Sequence, residues 1–177
     1  MIEFESRRLS IRELSADDLA GTLPIYISNQ DYLQITEGSE GEVGPYDLER
    51  WQRDWQIAQF MPGRHILCCT LRESQEPIGI LDYLAENDAD GKPWLGLIII
   101  HASFQRQGLG SEAFTHLIKH LHQQHALPLL RATLAQQNTK GKAFLQCVGF
   151  QPRGTIAKQL PSGMQELLLY EFRWEQP

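Results

Sequence analysis

The sequence predicts an α/β protein folded as a single domain over residues 1–177. Strand-like and helix-like segments alternate along the chain, and no linker, internal repeat or low-complexity tract divides it. Near the middle, an apolar run passes through a glycine turn into an amphipathic helix, which is typical of an α/β unit. With 177 residues, of which 42% are hydrophobic, the chain can bury a core of its own.

The N-terminal third predicts one strand and two helices. Apolar and polar residues alternate from Arg8 to Arg12, as in a half-buried strand. Ser15 followed three positions later by Asp18 is typical of a capped helix start, and Pro24 should kink or shorten that helix. A second amphipathic helix is predicted from about Asp47 to Phe60.

A polar, glycine-bearing segment from Asn29 to Tyr46 is predicted to be a loop, long enough to be functional. Two strands follow the second helix, from Ile66 to Leu71 and from Ile78 to Leu84. Trp51 and Trp55 lie on the apolar face of that helix, which favours core packing over an aromatic cage.

The glycine turn is the most informative feature of the sequence. Leu97 to Ile100 is an apolar run typical of a strand covered on both faces. Gly108 and Gly110 allow a tight turn and a close backbone approach to a ligand. The first amides of the helix that follows are expected to be unpaired, which makes an anion site with pyrophosphate as the expected occupant.

The remaining segments complete the predicted order. Leu129 to Ala135 is a strand, Asn138 opens a helix that ends before Gly149, and Gln165 to Trp174 is a long closing strand. The order is one strand, two helices, three strands, a helix, a strand, a helix and two strands.

Two segments together resemble the GCN5-related N-acetyltransferase family. Residues 105–110, Gln-Arg-Gln-Gly-Leu-Gly, are similar to the family's acyl-CoA pyrophosphate loop between a strand and a helix. Residues 138–150 are similar to its Asn-led helix, which ends in Gly-Phe, at the family's own spacing. The resemblance spans nearly the whole chain. It implies a mixed, mostly antiparallel seven-stranded sheet flanked by about four helices and splayed between the fourth and fifth strands.

The resemblance also implies how acetyl-CoA would be held. Backbone groups at Ile98 to Ile100, in the strand before the glycine turn (the motif strand), would pair with the pantetheine arm. The loop amides would hold the pyrophosphate with added charge from Arg106, and Asn138 would orient the pantetheine. The amide of Ile100 would polarise the thioester carbonyl in an oxyanion-hole role. The cofactor-binding residues are then Ile98, Ile99, Ile100, Gln105, Arg106, Gln107, Gly108, Leu109, Gly110, Ser111, Asn138 and Phe144.

The groups that move protons are harder to assign. Many relatives carry a glutamate early on the motif strand, where this chain has Leu95, so Glu37 and Asp82 are the candidate bases. The alternative for both carboxylates is a solvent-facing charge. The family's usual tyrosine acid is replaced by Leu145, and Tyr83 or water is expected to take its place.

Other interpretations of the glycine turn are weaker. Residues 108–113 also fit the dinucleotide-binding fingerprint Gly-x-Gly-x-x-Gly/Ala. That motif requires its glycines directly after the strand and an acidic residue at the tip of the next strand. Seven residues separate Ile100 from Gly108, and residues 128–135 contain no acid. A phosphate-binding P-loop is excluded because no Gly-Lys-Ser/Thr follows either glycine.

No metal site is predicted. His116 and His120 are one helical turn apart, with His122 and His125 nearby, but they lie off the apolar stripe and no acidic or cysteine ligand accompanies them. Cys147 lies within an apolar helix segment, which favours a buried structural cysteine over a nucleophile.

Composition restricts partners and compartment. A net charge of −6 disfavours a nucleic-acid surface, and no apolar run approaches the ~18 residues of a membrane span. Three cysteines make no disulfide framework and the first residues lack a secretory signal, so we expect a reduced, cytoplasmic compartment. A homodimer is compatible with the sequence.

The sequence therefore predicts an N-acetyltransferase that passes an acetyl group from acetyl-CoA to a primary amine of a small molecule or a peptide, directly within a ternary complex. Acceptor selectivity is assigned to the segments Asn29 to Tyr46 and Lys158 to Met164. The alternative is a non-catalytic acyl-CoA-binding module of the same fold, since Leu95 and Leu145 stand where catalytic side chains are expected.

Overall fold

A computed structural model describes residues 2–37, 44–125, 129–160 and 163–174. Within these residues the chain forms five α-helices, two short 3₁₀ turns and one eight-stranded sheet, which confirms the mixed α/β prediction. The strands are β1 (Glu3–Glu5), β2 (Leu9–Glu13), β3 (Arg64–Leu71), β4 (Pro77–Leu84), β5 (Trp94–Ile100), β6 (Leu129–Ala135), β7 (Gln151–Leu160) and β8 (Gly163–Arg173). The helices are α1 (Leu19–Ile27), α2 (Gln30–Glu37), α3 (Leu48–Gln59), α4 (Leu109–His125) and α5 (Thr139–Cys147).

The sheet has the order β1-β2-β3-β4-β5-β6-β8-β7. Its neighbouring strands are antiparallel except β5 and β6, which are parallel because α4 carries the chain back between them. The prediction of a mostly antiparallel sheet is thus confirmed, and the parallel pair joins the fifth and sixth strands in the sheet order.

Buried side chains lie on both faces of the sheet. On one face α4 and α5 cover a core that includes Phe114, Leu117 and Phe150. On the other face α1, α2 and α3 cover a second core, in which Trp51 is 2% exposed. Both faces are covered, which explains why β4 and β5 are apolar runs without alternation.

Two elements differ from the prediction. β1 was not expected, because Phe4 between two glutamates gives too short a pattern to indicate a strand; it raises the strand count from seven to eight. α2 lies inside the predicted loop from Asn29 to Tyr46 and raises the helix count from about four to five within the described residues. Leu33 is the one buried residue among the described side chains of α2, so this helix shows little apolar periodicity. Residues 38–43 of the predicted loop lie outside the described part.

The predicted start of the first helix is a 3₁₀ turn, Ala16–Asp18, that leads into α1. The Asp18 carboxylate accepts hydrogen bonds from the Ser15 N–H and hydroxyl at 2.8 and 2.7 Å. Pro24 lies inside α1, which ends three residues later. None of the described helices is long and apolar enough to cross a membrane.

Candidate active site

The sheet opens between β5 and β6. These strands pair only at Trp94 with Arg131 and at Leu95 with Ala132, although both strands continue beyond these pairs. They therefore diverge after Leu95, and the carboxyl ends of two parallel strands enclose a cleft. Divergence leaves backbone N–H and C=O groups of β5 without a neighbouring strand to satisfy them. The cleft lies where the sequence placed it, between the fourth and fifth predicted strands.

The register of β4 and β5 decides which backbone groups face this cleft. His101 N–H donates to the Ile78 carbonyl at 2.8 Å, so these two form a hydrogen-bonded pair, and Ile99 belongs to the next such pair on β5. The backbone of Ile99 is therefore directed to β4, while those of Ile98 and Ile100 are directed to the cleft. The expectation that all three residues offer backbone groups to a ligand is corrected for Ile99.

Two side chains fix the end of β5. The Ile100 carbonyl accepts hydrogen bonds from Asn29 Nδ2 at 3.1 Å and from Gln105 Nε2 at 2.8 Å. Gln105 Nε2 also donates to Asn29 Oδ1 at 2.7 Å. The carbonyl of Ile100 is thus occupied, whereas its amide still faces the cleft. Asn29 was missed by the sequence analysis because its contact is 71 residues away and no local motif signals it.

The glycine turn at the top of the cleft has the expected geometry. Gly108 has φ +77° and Arg106, unusually for a residue with a side chain, has φ +63°. Among the described residues, no acceptor pairs with the amides of residues 106–111, which belong to the turn and to the first turn of α4. Unpaired amides at the positive end of a 17-residue helix are of the kind that can hold an anion.

A hydrogen-bond network holds the turn against the connection between β1 and β2. The Glu112 carboxylate accepts hydrogen bonds from Ser6 Oγ at 2.6 Å, Arg8 N–H at 2.8 Å and Arg8 Nε at 2.7 Å. Arg8 Nη1 donates to the Gln107 carbonyl at 3.0 Å. Partial burial opposes ionisation, but the hydrogen bonds from Ser6 and Arg8 hold the pKa of Glu112 below its usual value. The turn is therefore braced by the charged pair of Arg8 and Glu112.

Helix α5 forms the opposite wall. Asn138 is its N-cap, because its Oδ1 accepts a hydrogen bond from Gly141 N–H at 2.8 Å. The Phe144 ring packs against the turn: a Cβ on Gly110 would lie 3.3 Å from that ring and 3.5 Å from Ile100. Gly110 is thus required for close packing, and Phe144 lies where a ligand along β5 would meet it.

Asp82 lies on β4 opposite Leu97, two residues beyond the last pair between β5 and β6. Its side chain is 11% exposed and pairs with Arg64, with Arg64 Nη2 2.6 Å from Asp82 Oδ2 and Arg64 Nε 3.1 Å from Oδ1. A Cβ on Gly96 would lie 3.5 Å from the Asp82 carboxylate. The carboxylate therefore lies beside β5 at Gly96, where a larger residue would contact it. It is buried, which corrects the alternative of a solvent-facing charge.

Aromatic side chains from α1 and α3 cover the face that carries Asp82. The Tyr26 ring lies 5.0 Å from that of Tyr46 and 4.9 Å from that of Trp51. Burial, with smaller contributions from neighbouring tyrosines and from Asp82, raises the pKa of Tyr26 well above its usual value. The prediction that Trp51 belongs to the core is confirmed, since it is 2% exposed within the second core, where its Nε1 donates to Thr22 Oγ1 at 3.0 Å.

The other proton-transfer candidates are placed less favourably. Tyr83 is 1% exposed, and its hydroxyl is buried without a hydrogen-bond partner among the described residues. It packs in the core under α4 and α5 and stacks on His65, which argues against it as the proton donor. Leu145 is 3% exposed in the same core. Glu37 is the last residue of α2, and its side chain lies outside the described part.

Three histidines of α4 have separate partners. His116 Nδ1 lies 3.0 Å from the Glu112 carbonyl, His120 stacks on Phe4 and His122 stacks on Trp174. Within the residues described, no group of three or more His, Cys, Asp and Glu side chains is placed to hold a metal. The prediction for Cys147 was wrong: it is exposed, because it lies on the outer side of the last turn of α5.

Solved structures with this arrangement are acetyltransferases. An acetyltransferase from Thermus thermophilus is 24% identical, with a TM-score of 0.76 over 94% of this chain and 97% of that one. A probable GNAT-family acetyltransferase from Chromobacterium violaceum is 15% identical, with a TM-score of 0.81 over 97% and 85%. A ribosomal L7/L12 α-N-protein acetyltransferase in complex with coenzyme A is 16% identical, with a TM-score of 0.76 over 95% of each chain. The fold is thus the acetyltransferase fold.

The sequence agrees with this structural class. Residues 8–151 match the acetyltransferase (GNAT) domain family, which covers most of the chain. The protein belongs to the GNAT acetyltransferase family. A comparison with curated proteins gave no match.

Proposed function

We propose that this protein transfers the acetyl group of acetyl-CoA to a primary amine of a small molecule or a peptide, directly within a ternary complex. The observation that carries the proposal is that the unpaired amides of residues 106–111 open at the mouth of the β5–β6 cleft. A diphosphate on these amides would direct an attached arm along β5, where Ile98 and Ile100 face the cleft. The chemistry that acetyl-CoA supplies is an acetyl thioester.

The backbone of β5 supports the acyl-transfer step. The Ile100 amide would donate to the thioester carbonyl oxygen, which gains negative charge as the amine nitrogen attacks the carbonyl carbon. Asn29 and Gln105 hold the neighbouring carbonyl of Ile100, so this amide is fixed in direction before a ligand binds. The new C–N bond replaces the C–S bond, and a thiolate with a pKa near ~8.5 is a tolerable leaving group in water.

Asp82 is the acid–base residue that we assign to the amine. An alkylammonium with a pKa near ~10.4 must lose a proton before it can attack. This assignment is supported by the position of Asp82 opposite Leu97, close to where β5 leaves β6, and by its orientation through hydrogen bonds of 2.6 to 3.2 Å from Arg64. The proton would pass to Asp82 or, through it, to water. Glu37 remains the second candidate, at the end of α2.

A non-catalytic acyl-CoA-binding module is the second candidate function. It is favoured by one observation: Leu95 and Leu145, which stand where catalytic side chains are expected, are both buried in the core at 5% and 3% exposure. Such a module would use the same amides and the same cleft without an acceptor.

Thiol release distinguishes the two functions. The protein is incubated with acetyl-CoA and a panel of polyamines, amino acids, aminoglycosides and peptides with a free N-terminus. The panel includes the N-terminal peptide of ribosomal protein L7/L12, because a similar structure belongs to an acetyltransferase of that protein. Amine-dependent release of CoA thiol supports the enzyme. Tight acetyl-CoA binding with no release over the whole panel supports the module instead.

The same proposal extends to compartment and partners. Two of the three cysteines are buried and all three are unpaired, which is consistent with a reduced, cytoplasmic compartment. We expect acetyl-CoA and an amine as partners, rather than nucleic acid, a membrane or a metal ion. A homodimer stays a prediction, and light scattering in solution would test it.

A further inference from the structure

An ion pair joins the start of α2 to the start of α5. Lys140 Nζ lies 2.6 Å from Asp31 Oδ2, although the two residues are 109 positions apart in the sequence. Asp31 is in the first turn of α2, and Lys140 is in the first turn of α5. The Lys140 side chain is 78% exposed and that of Asp31 is 70% exposed, so the pair lies at the surface. We call this pair the latch.

The latch connects the far ends of the two diverging strands. On the β5 side, Asn29 donates to the Ile100 carbonyl at 3.1 Å and lies two residues before Asp31. On the β6 side, α5 begins four residues after Ala135, the last residue of β6. The two strands pair with each other only nearer their starts. The strands, the start of α2, the latch and the start of α5 therefore form a closed ring around the cleft.

The two proposed subsites lie on opposite faces of the sheet. The amides proposed for the diphosphate belong to the start of α4, which packs on one face through Phe114 and Leu117. Asp82, proposed for the amine, lies on the other face, because its β4 neighbours Leu81 and Tyr83 both belong to the core under α4. The arm of a coenzyme that reaches both subsites therefore passes through the ring.

A closed ring restricts how this arm can enter the cleft. With the latch closed, the arm can only be threaded end-on, because a nucleotide is attached to its other end. With the latch open, the arm can enter from the side while the diphosphate binds the amides. The rate of sideways entry is then proportional to the fraction of molecules in which the pair is open. An exposed ion pair contributes little to stability, so it can open without disturbing the fold.

We propose that the Asp31–Lys140 latch closes over the arm of the coenzyme and slows its entry and its release to the same extent. This inference rests on the proposed function, because it assumes that acetyl-CoA occupies the cleft. The latch blocks the side of the cleft in the free protein and in the complex alike. Because it favours neither state, breaking it should raise both rate constants and leave the Kd unchanged.

Surface plasmon resonance, with immobilised protein and CoA in solution, measures both rate constants. Asp31→Asn and Lys140→Met should each raise them about two- to fivefold, the scale expected of an exposed ion pair. The combined variant should show no further increase, because either change alone breaks the pair. Exchange of the two charges, Asp31→Lys with Lys140→Asp, should restore the slow rates.

Lys142→Met is the matched control. It removes the same charge from the same helix, and Lys142 makes no ion pair within the described residues. Loss of a positive charge by itself should slow the association of an anionic coenzyme. The latch predicts the opposite for Lys140→Met, which should associate faster. In 1 M NaCl, where the Debye length falls to ~3 Å, the wild type and the latch variants should converge.

Opposite effects of the two single substitutions overturn the latch. If Lys140→Met weakens CoA binding and Asp31→Asn strengthens it, Lys140 binds the coenzyme directly and Asp31 competes for it. Unchanged rate constants in both variants also overturn the latch, and they leave the acetyltransferase proposal standing when the wild type binds CoA. A wild type that does not bind CoA overturns the latch and the proposed function together.

Discussion

The two ends of the cleft differ in the groups that line them: one has backbone amides and the other has side chains. At the end proposed for the coenzyme, near Gly108, the exposed groups are backbone amides in a glycine turn and a helix start, braced by Arg8 just before β2. At the end proposed for the amine, near Asp82, they are side chains supplied by β4, β3 and α1. The first end is determined by the local backbone conformation. The second is determined by side chains that several separate elements bring together.

This difference explains why the coenzyme end carries a local sequence motif and the amine end does not. Nearly any residue can present a backbone amide, so the geometry of this end restricts the residue type mainly at its glycine positions. A carboxylate can reach one point in space from several strands. Here Asp82 reaches the space beside Gly96 from the neighbouring strand. Four variants test how far the two ends are independent.

The largest effect is expected at the coenzyme end. Gly108→Val should weaken CoA binding by roughly 100-fold or more, because a branched side chain at φ +77° would crowd Arg8 Nη2, which lies 3.5 Å from an added Cβ, and so displace the turn amides. Gly91→Val is the matched control, since Gly91 has φ +63° in the turn between β4 and β5, with nothing closer than 3.9 Å to an added Cβ. Calorimetry should show the loss only for Gly108→Val. Equal losses would attribute the effect to backbone strain.

Asp82→Asn tests the amine end. We expect turnover to fall about 100-fold with an unchanged Kd for acetyl-CoA, which is the usual scale for loss of a general base. The control is Asp90→Asn, which breaks a similarly buried pair with Arg131 at 2.6 Å outside the cleft. Both variants should lose roughly 1–3 kcal/mol of stability to urea. If Asp90→Asn slows turnover as much, Asp82 is a structural residue.

Leu145→Tyr asks whether a proton donor limits the rate. Leu145 is 3% exposed, so a larger ring should cost roughly 1–3 kcal/mol of folding free energy. Leu145→Phe is the control, because phenylalanine has nearly the same volume as tyrosine but lacks the hydroxyl. We expect the two variants to turn over at the same rate, measured by thiol release. A clear advantage for the tyrosine would mean that solvent does not suffice as the acid.

Tyr83→Phe should have the smallest effect on activity, because its hydroxyl is enclosed in the core. Removing an unsatisfied buried hydroxyl should raise stability by about 1 kcal/mol with turnover unchanged. A large drop in turnover at unchanged stability would indicate that Tyr83 acts as the proton donor after all.

The same variant has a predicted pH dependence. Burial, helped by the charge of Glu13, raises the pKa of Tyr83 above its usual value, so the folded state holds the phenolic proton more tightly than the unfolded chain. The resulting stability is complete below the ordinary pKa near ~10 and is lost as the pH rises above it. The free energy of unfolding of Tyr83→Phe, measured with urea, should therefore fall less steeply above pH ~10 than that of the wild type.

Much of the fold follows from the sequence because its elements are locally consistent. The apolar runs of β4 and β5 and the stripe of α4 each indicate one structure, and the structure has them. β1 and α2 were missed because each owes its position to contacts elsewhere. β1 is held by pairing with β2, and α2 by the buried Leu33.

The candidate site was predictable to the extent that it consists of backbone. Gly108, Gly110 and the N-cap Asn138 are local signals, whereas Asn29 and Arg64 act across 71 and 18 residues and carry none. Cys147 was misassigned because apolar neighbours in a short helix do not show which side faces the core. Tyr83 and Asp82 are adjacent in sequence, yet the alternation of a strand directs them to opposite layers.

The pairing of Glu112 with Ser6 and Arg8 gives the beginning of the chain an unexpected influence. Whatever shifts β1 and β2, such as a bulky fusion ahead of Ile2 or a neighbour resting on Phe4, also pulls on the first turn of α4. If the proposed function holds, we therefore expect coenzyme affinity to respond to changes at the start of the chain.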